Sequence, residues 1–119
     1  MATQQITVSP KEQQVLRDFC HGEMTEAGDI WIGIKKEDYE GAYELSSRMR
    51  EAMECLDAIG WGWESPHAIE LLPGSDQAKA VVQIAERCRY REAEELAEFD
   101  AEGHQETIDL CIAMVEKVA

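Results

Sequence analysis

Between residues 42 and 59, apolar side chains recur at alternating intervals of three and four: Ala42, Leu45, Met49, Ala52, Leu56 and Ile59. Such a heptad seam lies on one side of the chain only in an α-helix. Ser46 and Met53 widen the stripe and Gly60 ends it, so the spacing predicts a helix over about 37–59. A helix with one apolar stripe must bury it against something, and three further segments offer partners.

Ser9 supplies an N-cap, Pro10 the first helical position and Glu12 a capping box. A first helix is therefore expected over 10–22, with Val15, Leu16, Phe19 and Cys20 as its apolar edge and Gly22 as its stop. A third runs from a Ser75 cap to about Phe99, carrying Ala78, Val81, Val82, Ala85, Cys88, Leu96 and Phe99. The fourth, over about 104–118, is apolar around more than half its circumference and needs neighbours on at least two sides. In GDIWIGI, residues 28–34, the isoleucines alternate with Trp31 and Gly33, the period of a short strand. AIELL, residues 68–72, is the other extended-looking run and the candidate partner, a pairing that the sequence leaves open. The long helix between them, roughly 35 Å from end to end, opposes that pairing.

The fold class expected is mainly α: a four-helix bundle-like single domain over 1–119, with two long central helices and at most two short extended segments. Helices two and three exceed one and four in length, which leaves part of each long seam uncovered. A second copy is the simplest cover, so a homodimer is expected.

Eleven basic residues against 25 acidic ones give a net charge of −14. That field repels phosphate backbones and anionic membrane surfaces, so neither nucleic acid nor membrane is expected as a partner. The opening MATQQITVSP has no apolar run, and no signal peptide is expected. Cys20, Cys55, Cys88 and Cys111 contain no C-x-x-C pair, and each falls in a separate helical stripe. They read as reduced, buried small hydrophobes of a cytoplasmic protein, not as a zinc site.

IGWGWESPHAIELLPGS, residues 59–75, concentrates aromatic residues and prolines. The simpler reading has Trp61 and Trp63 folding back over the bundle end after Gly60. The sharper one makes Trp61, Trp63 and His67 an aromatic ligand pocket. Glu64 and His67 have the E-x-x-H spacing of carboxylate-bridged di-iron bundles, but Pro66 interrupts it and no second copy of the motif exists. Asp18 and His21, three apart near the expected end of helix one, fit a histidine at a helix C-terminus better than a metal pair. No nucleophile elbow, P-loop, dinucleotide fingerprint or H-E-x-x-H occurs, so neither a catalytic residue, a metal site nor a cofactor is expected.

Two features remain. Arg89 and Glu92 project into the stripe of helix three, either snorkelling outward or forming a polar layer that fixes the register of an interface. Eight acidic residues from Glu92 to Asp109, with no Lys or Arg among them, read first as a solvated face. Their alternative is a charge mimic that occupies a basic protein surface. The function expected is a small acidic, non-enzymatic protein acting by protein–protein contact and homodimerisation, the Trp61 pocket being the alternative.

Overall fold

The computed structural model describes residues 5–62, 67–99 and 102–118. The chain runs β1 (Ile6–Val8), α1 (Pro10–Gly33), α2 (Tyr39–Ile59), β2 (Ile69–Leu71), α3 (Asp76–Phe99) and α4 (Glu102–Val118). It is a mainly α bundle with one two-stranded sheet. Neighbouring helices α1–α2, α2–α3 and α3–α4 make the main packing contacts. No described helix is long and apolar enough to cross a membrane.

The first helix starts where its capping box predicts. Ser9 Oγ accepts from the Glu12 N–H at 3.2 Å, and Glu12 Oε1 accepts from the Ser9 N–H at 3.0 Å. It does not stop at Gly22. The helix continues to Gly33, so residues 28–33 are helical and the expected strand there is absent. Gly22 and Gly28 keep ordinary helical backbone, and a Cβ at either meets nothing within 4 Å. They cost helix propensity without forcing a break. The extension holds because Glu23 and Ala27 are buried.

AIELL does contain a strand, but its partner is β1. The pairing is antiparallel, with Ile6 opposite Leu71, Thr7 opposite Glu70 and Val8 opposite Ile69. Because α1 and α2 form an antiparallel hairpin, the chain after α2 returns beside the start of α1, which removes the distance problem. Asp38 caps α2 through its carboxylate on the Gly41 N–H at 2.9 Å. A Cβ at residue 41 would overlap that carboxylate, so the cap needs glycine there. Gly60 ends α2 with φ +101°, a conformation side chains resist. Ser75 Oγ accepts from the Ala78 N–H at 3.2 Å and opens α3.

The core gathers Leu16, Leu56, Val81, Ile84 and Met114 with one cysteine from each helix. All four cysteines are free and buried. The molecule is elongated, 52 × 34 × 24 Å.

Two buried polar side chains tie the returning chain down. Gln13 Nε2 donates to the Val8 and His67 carbonyls, both at 2.9 Å. Arg17, 2 % exposed, donates to the carbonyls of Ile59 and Gly60. Neither polar residue stood out in the helical pattern.

Candidate functional site

An apolar groove runs between the second half of α1 and the middle of α2. Gly28 and Trp31 form one wall, and Ser46, Met49, Arg50, Met53, Glu54 and Asp57 the other. Its volume is about 630 Å³. The groove exists because Gly28 contributes no side chain where α1 faces α2, while Leu45, Ala52 and Leu56 turn inward to the core. The α2 seam is therefore largely covered within the chain. That removes the length argument for an uncovered seam: α1 is as long as α3, 24 residues each.

What the fold leaves open is the adjacent hairpin tip. Among the described residues, Ile30, Trp31 and Ile32 at the end of α1 and Tyr39, Tyr43 and Met53 on α2 are large apolar side chains left exposed. A concentration of this kind marks a contact surface more often than scattered exposure does.

Trp61 lies beyond the other end of α2, beside the Asp57 end of the groove. It is 44 % exposed, so it does not plug the bundle end, and its Nε1 donates to Asp57 Oδ1 at 2.6 Å on the groove wall. Trp63 lies outside the described residues. His67 is exposed, and its backbone carbonyl is the acceptor for Gln13.

Arg89 and Glu92 each find a different partner. The Arg89 guanidinium stacks over the Tyr90 ring, 4.6 Å from its centroid. Glu92 pairs with His104 Nδ1 across the α3–α4 junction. The hydrogen bond to Glu92 raises the His104 pKa above its ordinary value against a small desolvation cost, with the Glu92 and Glu95 charges adding to the rise. The ligand atoms of Glu92, Glu95 and His104 lie within 4.8 Å of one another.

Next to them, an open cavity of about 370 Å³ lies between α1, α3 and α4, walled in part by Asp18, Glu23, Arg91, Glu92 and Glu95. Glu23 is 4 % exposed and accepts from Arg48 Nε at 2.8 Å and Arg91 Nη1 at 3.3 Å. Arg91 Nη2 also donates to Glu26 at 2.6 Å. The Arg91 hydrogen bond outweighs burial and holds the Glu26 carboxyl below its usual range. These pairs join three helices, and their charges are matched within the chain.

The acidic run is partly neutralised in the same way. Glu92 and Glu95 face His104, Glu95 also faces Arg91, and Glu106 pairs with Lys11. Asp109 accepts from Gln105 at 2.9 Å. The side chains of Glu98 and Glu102, and Asp100 altogether, lie outside the described residues.

No family model, curated protein or solved structure matches the chain.

Proposed function

We propose that the protein is a non-enzymatic module that acts by protein–protein contact, associating with itself through the α1–α2 groove and the apolar hairpin tip. The observation that supports this reading most directly is the concentration of exposed Trp31, Tyr39, Tyr43 and Met53 in and around an apolar groove. Aromatic residues and methionine are enriched in protein interfaces, and methionine adapts to the shape it meets. The polar clusters of the α1–α3–α4 cavity, by contrast, are closed by their own ion pairs. Four free buried thiols fit a reducing compartment, and a cytoplasmic setting is part of the proposal.

Sedimentation equilibrium tests it. The expected mass rises from one chain towards two with concentration, and Met53→Glu abolishes the rise because it places a charge in the groove. Met53 is 41 % exposed, so the variant folds with a normal helical spectrum. A wild-type chain that stays monomeric at high micromolar concentration overturns the reading.

The aromatic-pocket alternative keeps one supporting observation: Trp61 is half exposed and bonded to the groove wall. It is read here as part of the same contact face.

A further inference from the structure

The charged residues of the groove carry a more specific statement, which rests on the self-association just proposed. The exposed stripe of α2 reads Ser46, Met49, Arg50, Met53, Glu54, Asp57. Among its charges the cation Arg50 precedes the anions Glu54 and Asp57, with Met53 between. A two-fold axis makes a surface meet its own reversed copy, so such a stripe complements itself if the axis passes near its centre.

We infer that the groove is occupied by α2 of a second copy running antiparallel, in the register that sets Arg50 of each chain opposite Asp57 of the other. Centred between Met53 and Glu54, this register sets Met53 of each chain opposite Glu54 of the other and forms the Arg50–Asp57 pair twice. It also carries Ser46 and the exposed Tyr43 towards Trp61 of the other copy, covering both aromatic exposures at once. Asp57 uses Oδ1 for the Trp61 indole and keeps Oδ2 for a guanidinium.

Two observations favour a copy of this chain over a foreign helix. Arg50 is exposed with no ion pair among the described residues, although the chain has 25 acidic residues to offer. The stripe also sets Arg50 and Asp57 seven residues apart on one face, so a reversed second copy meets each of them with its opposite charge. Salt screens the repulsion between two chains of −14 beyond about 8 Å at physiological ionic strength.

Charge reversal gives a test that only an intermolecular pair passes. Arg50→Asp and Asp57→Arg are made separately, each checked for helical content, and studied by sedimentation and native mass spectrometry. Each alone sets like charges opposite each other twice, and self-association weakens by at least about tenfold. Mixing the two variants in equal amounts restores opposite charges at both contacts, and a heterodimer of one of each forms at close to wild-type affinity. If wild type dimerises and Met53→Glu abolishes it, but the mixture stays monomeric or the single variants dimerise normally, this register is overturned and the self-associating face stands. If wild type is monomeric, leaving the groove to a different protein, both statements fall.

Discussion

Arg17 holds the carbonyl oxygen of Gly60 with two nitrogens, Nε at 3.2 Å and Nη2 at 3.1 Å. The same Nη2 reaches the Ile59 carbonyl at 3.2 Å. These oxygens belong to the end of α2, where carbonyls lack helical partners and the helix dipole is negative. A buried cation from α1 thus closes α2 and fixes where the following chain returns. Arg17→Ala leaves those carbonyls buried without a donor and is expected to cost about 3 kcal/mol in urea unfolding. A loss below about 1 kcal/mol would show that the cap carries little of the fold's stability.

Glu23 plays the matching role along the extension of α1. Its carboxylate takes two guanidinium groups, Arg48 from α2 and Arg91 from α3. Glu23→Ala leaves Arg48 and Arg91 to share the more exposed Glu26, and an expected loss of about 1–2 kcal/mol follows. The double variant Glu23→Ala, Arg48→Ala should lose less than the sum of the singles. Strict additivity in that cycle would place the two residues outside a shared interaction.

Gly22 offers a change in the other direction. It is exposed in the middle of α1, its backbone is helical, and a Cβ there meets nothing within 4 Å. Gly22→Ala should therefore stabilise the protein by about 0.5–1 kcal/mol through reduced chain entropy. Destabilisation would mean that the helix breaks near residue 22, as its sequence alone proposes.

The His104–Glu92 pair makes the α3–α4 junction pH-dependent. Its folded pKa lies above the ordinary value of 6.5, chiefly through the hydrogen bond to Glu92. The stabilisation is fully present below the unfolded pKa and is lost as pH rises through the folded one. Thermal midpoints should fall across that window in wild type and change less in His104→Gln. An NMR titration of the ring placing the midpoint below 6.5 would contradict the pairing.

The thiols should be inert in the native state. Cys55 is pushed well above the ordinary thiol range by its hydrogen bond with Cys20 and by burial. Cys88 is raised by its hydrogen bond with Cys111 and by burial; the same bond lowers Cys111, which is shielded by being fully buried. Thiolate is the reactive form, so a thiol reagent at neutral pH should label the folded protein slowly and all four sites once it unfolds. Rapid labelling of the native chain would show the packed core to be open.

Local pattern alone determined a good part of this architecture. The heptad seam gives α2, the capping box gives the start of α1, Ser75 and Gly60 set two helix ends, and one cysteine in each apolar stripe announces four helices sharing a core. These are short-range features, read from residues within a turn or two of each other. Tertiary structure decided the rest. Gly22 through Gly33 resembles a loop and a strand by itself, yet is helical because Glu23 meets Arg48 and Arg91, which lie 25 and 68 residues away in the chain. The ITV run before Ser9 drew no strand expectation; the antiparallel α1–α2 hairpin brings AIELL back beside it as its partner. Trp61 looked like a stopper from its place after a glycine; its hydrogen bond to Asp57 puts it at the edge of the groove instead. Buried polar groups and open faces depend on neighbours remote in sequence. A periodicity shows which side of a helix is apolar; packing decides how much of that side remains uncovered.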